Sequence, residues 1–194
     1  STTAPESEAP HLAGIEAGGT KYVCAIGTNP AEPLLESRFP TTTPEETIAQ
    51  AVAFFTEAAE RYGPIHAMGI GTFGPADIHP CSPGYGSILP PPKAGWADFN
   101  VVNASREGLQ IPIPIAFETD VNAAVIGEAE FGVARNCRFV AYLTIGTGIG
   151  GAYLHDGQLI SGRMHPEVGH MIMPDYDAKF GKATNHCPFH ESCF

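Results

Sequence analysis

The stretch from Leu12 to Phe39 reads as three short β-strands, Leu12–Glu16, Tyr22–Ile26 and Leu34–Phe39, set apart by Gly- and Pro-containing turns. The first two are joined by the Gly-rich turn Ala17-Gly18-Gly19-Thr20-Lys21 and read as a hairpin. A helix follows: Ile48, Ala51, Val52, Phe55, Ala59 and Tyr62 recur at helical spacing. Thr43 and Glu46 stand in capping-box positions, Pro44 opens the helix and Gly63-Pro64 closes it. Ala67–Thr72 predicts a short buried strand running into Phe73-Gly74-Pro75. Asp77–Ala97, with Pro90-Pro91-Pro92, keeps no period and predicts an irregular loop of a length that usually carries function. A helix over Val101–Gly108, a strand over Ile113–Glu118 and a helix from Asp120 to about Phe131 follow. Arg138–Ile145 and Gly150–His155 read as a strand pair across a glycine turn, and Asp156-Gly157 as a further hairpin turn leading to Leu159-Ile160.

This order predicts an α/β protein of two similar lobes, the second unfinished. The expected divisions are a disordered tail over 1–10, a first lobe over 11–118 and the start of a second over 119–194. No strict repeat links the lobes, but each begins with a Gly-Thr turn between apolar strands. The 194 residues can bury a substantial core, and the 22 Gly and 18 Pro sit in short loops rather than one low-complexity tract. A formal net charge of -11 repels phosphate backbones and anionic lipid, which argues against nucleic acid or a membrane surface as partner. No apolar run approaches bilayer length, and Ser1–Pro10 lacks the basic, apolar leader of a signal peptide. Cys24, Cys81 and Cys137 stand singly, which suits reduced thiols in a cytoplasmic protein; Cys187 and Cys193 lie close enough to share a task.

Four segments carry candidate chemistry. In Glu16-Ala17-Gly18-Gly19-Thr20-Lys21 the glycines let backbone approach a phosphate while Thr20 and Lys21 add a hydroxyl and a cation; an ordinary tight turn is the alternative. Ile145-Gly146-Thr147-Gly148-Ile149-Gly150-Gly151 matches the dinucleotide fingerprint at its glycines. A strand is expected directly after it instead of a helix, so the Rossmann reading is rejected. Asp120 in Glu118-Thr119-Asp120-Val121-Asn122 stands at a strand-to-helix junction, where it is either a general base or a helix cap. Cys187, His190 and Cys193 supply three soft ligands within seven residues, and an upstream His completes a tetrahedral zinc set, with His186 a competing fourth ligand; chance thiols beside a surface His are the alternative.

Taken together in order, these motifs resemble the ROK family of sugar kinases and related repressors, within it the bacterial fructokinases, from about Leu12 onward. The resemblance implies an actin-like (ribonuclease H-like) fold of two lobes, with a hexose and ATP as ligands and a homodimer as the usual assembly. By motif position Asp120 is the catalytic base, Glu167, His170 and Asn122 hold the sugar, and Glu16, Gly18, Gly19, Thr20, Lys21, Thr147 and Gly148 face ATP and its Mg2+. It also implies a structural Zn2+ on His170, Cys187, His190 and Cys193. Thr119 before the catalytic Asp, and a Cys-His-Cys cluster, resemble the fructokinase branch rather than the glucokinase branch. ROK kinases are roughly twice the length of a typical domain, so a further sugar-contacting Glu and the adenine-binding segment are expected beyond Phe194. The 194 residues alone are expected neither to bind ATP tightly nor to phosphorylate sugar, and an ordered form to include a second polypeptide. The second sheet is expected to expose Phe139, Leu143 and Ile145.

Overall fold

The computed structural model of the chain describes residues 9–90, 93–146, 149–161 and 168–170. The chain divides into two compact units, residues 1–123 and 124–194. The division falls after Ala123, inside a helix. Residues 1–8 of the expected tail lie outside the described residues.

The first unit is built on a five-stranded sheet of order β3-β2-β1-β4-β5. β1 (His11–Ala17), β2 (Lys21–Gly27) and β3 (Leu35–Pro40) form an antiparallel meander. β4 (Ile65–Thr72) and β5 (Ile115–Thr119) lie parallel to β1. α1 (Pro44–Tyr62) returns the chain from β3 to β4, and α2 (Val101–Leu109) precedes β5. Alternation decides which side chains meet these helices. Ala13, Ile15 and Ala17 of β1 share a core with Tyr22, Cys24 and Ile26 of β2 and with Met68, Ile70 and Phe117 of the parallel strands. Ile48, Ala51, Phe54, Phe55 and Ala58 from α1, with Val101 and Val102 from α2, complete it.

The helix ends are set by local chemistry. Thr43 Oγ1 accepts the N–H of Glu46 at 3.3 Å, Pro44 opens α1, and the N–H of Gly63 donates to the Ala59 carbonyl at 2.9 Å. Asn100 Oδ1 accepts the N–H of Asn103 at 2.8 Å to start α2. β5 begins at Ile115 instead of the expected Ile113, because Pro112 and Pro114 have no N–H to give a ladder. The Pro114 carbonyl still accepts from the N–H of Met68 at 3.0 Å.

The long connection from β4 to α2 is irregular, as expected, but it is anchored. Trp96 is fully buried, edge-on to Phe73 at 5.7 Å and to Phe99 at 5.6 Å, and its Nε1–H donates to the Thr42 carbonyl at 3.0 Å. Isolated bridges join Ala76 to Ile88 and Ser87 to Asn100.

α3 (Asp120–Glu130) follows β5 directly. In the second unit, β6 (Phe139–Ile145), β7 (Ile149–His155) and β8 (Gln158–Leu159) form an antiparallel sheet, with Ile145 opposite Ile149 and Phe139 opposite His155. A strand thus follows the second glycine run directly, as the rejection of a dinucleotide fold required. Phe139, Leu143 and Ile145 are 58%, 56% and 81% exposed, in line with expectation. Val168–His170 forms a single 3-10 turn.

Candidate active site

The register of the three parallel strands defines one edge. Ala17 of β1 lies opposite Thr72 of β4, and Thr72 lies opposite Thr119 of β5. The chain leaves this row in three directions: into the Gly18–Lys21 turn, into Phe73-Gly74-Pro75, and into α3 at Asp120. Open sheets containing parallel strands bind ligands at this C-terminal edge. Thr72 Oγ1 is buried on the row and has no hydrogen-bond partner among the described residues.

The turn is built from both sides. The N–H of Gly18 donates to the Lys21 carbonyl at 3.0 Å, and a Cβ at position 18 would stand 2.7 Å from that same oxygen, so only glycine closes the turn without a shift. Thr41 Oγ1 donates to the Gly18 carbonyl at 2.6 Å and the Thr41 N–H to the Thr20 carbonyl at 3.0 Å. Lys93 Nζ donates to the Gly19 carbonyl at 2.9 Å and also to the Thr41 carbonyl. Thr20 and Lys21 are exposed, and the space a side chain at Gly19 would enter is open.

At the third exit the helix cap is Thr119: its Oγ1 accepts the N–H of Asn122 at 3.2 Å, in the usual N-cap relation. Asp120 is therefore not the cap that one reading of the sequence made it. It is exposed at the first helical position, and one oxygen accepts the adjacent N–H of Val121 at 2.8 Å. Asn122 is buried and donates its amide to Glu118 Oε2 at 2.8 Å. Glu118 and Glu16 flank Gly71 in register on the sheet face opposite the α1 side. The first turn of α3 packs closely on that face, since a Cβ at Gly71 would come within 2.9 Å of the Ala123 Cβ.

Glu16, Gly18, Gly19, Thr20 and Lys21 thus lie together at the end of β1, with Asp120 and Asn122 beginning the helix after β5. The roles of Thr41, Lys93 and Glu118 were missed from sequence. Glu118 had a signal in its four-residue spacing from Asn122; Thr41 and Lys93 had none, because their partners lie 23 and 74 residues away. Thr147, Gly148, Glu167, Cys187, His190 and Cys193 lie outside the described residues, and of His170 only the backbone is described. Among the described residues no group of three or more His, Cys, Asp or Glu gathers to hold a metal. No helix among them is long and apolar enough to cross a membrane.

Burial governs the titrating groups of β2. The Cys24 thiol, opposite Ile15 of β1 in register, is pushed up to about 12 by desolvation, and Tyr22 is raised by burial first and by the Cys24 charge second.

A hairpin-led sheet with parallel central strands, a ligand edge at their C-terminal ends and a second sheet following is the architecture of the actin-like α/β proteins. The chain belongs to the ROK family, whose model matches residues 12–194. It is 40% identical over 185 residues to a fructokinase from Pediococcus pentosaceus, covering 94% of this chain and 60% of that one. It is 42% identical over 182 residues to a fructokinase from Streptococcus mutans, covering 92% of this chain and 59% of that one. Among solved structures, the crystal structure of a ROK family glucokinase from Streptomyces griseus in complex with glucose and AMPPNP matches with a TM-score of 0.68 at 27% identity, covering 85% of this chain and 52% of that one. The chain thus spans about three-fifths of the length of the curated relatives it matches.

Proposed function

We propose that the complete protein is an ATP-dependent hexose kinase whose preferred substrate is D-fructose, giving fructose 6-phosphate. The observation that carries this reading is the division of labour at the end of β5. Thr119 caps α3, and the exposed carboxylate of Asp120 opens the helix at the same C-terminal strand edge that carries the Gly18–Lys21 turn. Identity of 40% and 42% to fructokinases supports the choice of sugar, and the glucokinase structure with glucose and AMPPNP supports the pairing of hexose with nucleotide.

In this mechanism Asp120 takes the proton from the sugar 6-hydroxyl as its oxygen bonds to the γ-phosphorus. The bond from that phosphorus to the β–γ bridging oxygen breaks, and ADP leaves with the electron pair. The Gly18–Lys21 turn, and Thr147 and Gly148 from the second glycine run, hold the phosphates. Glu167 and His170 hold sugar hydroxyls, and Asn122 serves the same side by holding Glu118. Mg2+, bound with ATP near Glu16 through water, would supply charge neutralisation at the phosphates. The donor chemistry of His170, Cys187, His190 and Cys193, two imidazoles and two thiolates, suits Zn2+, which those residues would hold and which would stiffen the sugar-binding segment. On this reading the protein acts as a cytoplasmic homodimer, and the isolated Cys24, Cys81 and Cys137 thiols support a reducing compartment.

A coupled ADP-release assay across hexoses, run on the full-length protein, tests the proposal. The expected result is ATP-dependent turnover with the highest kcat/KM for fructose. Tight sugar binding with no ADP release would replace it with a sugar sensor.

A further inference from the structure

The carbonyls of the Gly18–Lys21 turn are all claimed from within the first unit. Gly18 O takes Thr41 Oγ1, Gly19 O takes Lys93 Nζ, and Thr20 O takes the Thr41 N–H. In a planar trans peptide the carbonyl and the following N–H point in opposite directions. Drawing the Gly18 and Gly19 carbonyls toward Thr41 and Lys93 therefore turns the N–H groups of Gly19 and Thr20 the other way. Neither N–H has a partner among the described residues, and the space at Gly19 is open. Successive N–H groups held in this way form a concave donor site for an anion.

Lys93 reaches the turn from the irregular connection after β4, three residues before buried Trp96. Trp96 is bonded to the Thr42 carbonyl, and Lys93 is bonded to the neighbouring Thr41 carbonyl as well as to Gly19. One ammonium thus joins the long loop, the strand end before α1 and the turn.

We infer that Lys93 is a positioning residue for the ATP polyphosphate: with Thr41, it aims the peptide N–H groups of the Gly18–Lys21 turn at the phosphates. The inference rests on the kinase reading above and adds to it the device that orients the turn.

The test uses the full-length protein with Lys93→Met, Lys93→Arg and Thr41→Val. Lys93→Met is expected to raise KM for ATP about tenfold, the loss of one charge-assisted hydrogen bond, and to leave KM for the sugar within about twofold. Lys93→Arg, which keeps the charge and the donors, is expected to recover most of that loss. Thr41→Val, which removes the donor to the Gly18 carbonyl, is expected to shift KM for ATP in the same direction. Trp96 is the single tryptophan, so its emission reports whether the loop keeps its place in each variant. An unchanged KM for ATP in Lys93→Met overturns the inference and leaves the kinase reading standing. Equal rises in both KM values with a shifted Trp96 emission also overturn it, because Lys93 is then only a structural tie. Calorimetric ATP binding is measured alongside. If the wild type turns over no hexose yet binds ATP, a tenfold weaker Kd in Lys93→Met still upholds the role of Lys93 and an equal Kd removes it; if the wild type binds no ATP, both proposals fall.

Discussion

Ile70 on β4 and Ile145 on β6 are the same side chain in the same kind of element, yet one is 2% exposed and the other 81%. β6 alternates with a period of two, whereas β4 buries Ile65, Met68, Ile70, Gly71 and Thr72. In the first sheet, side chains of β1, β2 and β4 enter a core shared with α1 and α2. In the second, Phe139, Leu143 and Ile145 lie at alternate positions of β6 and are exposed. A period of two tells which residues share a face. Whether that face becomes core depends on an element crossing it, which is a separate matter from the strand's own pattern. The covered sheet also presents the turn and Asp120, so the comparison separates a sheet whose edge is held rigidly by its core from one whose described apolar face stands open.

The sharpest test of that division is chemical. In the complete protein Asp120→Asn is expected to lower kcat by about 10²–10⁴-fold with sugar affinity nearly unchanged, since only proton removal in the transition state is lost. Steady-state kinetics with fructose and ATP measures it, and near-normal turnover would take the chemistry away from the end of β5.

The next effect falls on stability. Ile70→Ala should cost about 2–5 kcal/mol in urea unfolding, because it empties volume in a closed core. Ile145→Ala should stay within about 0.5 kcal/mol, as surface substitutions do. Equal costs would mean that the second sheet is covered in solution and would erase the comparison.

A smaller effect separates the cysteines. Cys24 is buried with its thiol raised to about 12, whereas Cys81 and Cys137 are exposed. Mass spectrometry after alkylation at pH 8 should find Cys81 and Cys137 modified and Cys24 intact. The sign for stability follows from the raised value. Between the ordinary thiol range near 8.5 and about 12 the unfolded chain has lost a proton that the native state keeps. Stability is therefore whole below that range and falls as pH rises through it, by about 1.4 kcal/mol per pH unit at most. Cys24→Ala should flatten this part of the profile, leaving the fall that the raised Tyr22 imposes at higher pH.

The smallest effect lies in the second unit. Arg138 grips Asp156 with two hydrogen bonds of 2.7 and 2.9 Å, and this lowers the Asp156 carboxyl below its usual value. The pair's contribution is present above the ordinary carboxylate range and is lost as pH falls through the lowered value. Both side chains are exposed, so the melting temperature of Asp156→Asn should differ little from wild type at pH 7, with the difference vanishing in acid.

Sequence alone determined the elements, their order and the family. The helical period of α1, the turns that bound the strands, the Thr43 cap, the Gly63 stop and the glycine runs act over a few residues, and local rules read them. It also placed Gly18, Gly19 and Asp120 among the candidates, since turn and junction chemistry is local too. Only the tertiary structure decided which residue caps α3, because Thr119 and Asp120 are both capable and the choice depends on how the chain leaves β5. Only it brought Lys93 across 74 residues to the Gly19 carbonyl and Trp96 across 54 to Thr42. The reason is the same in each case: a hydrogen bond or a buried contact between distant segments is set by how sheets and helices stack, and chain spacing carries no record of that.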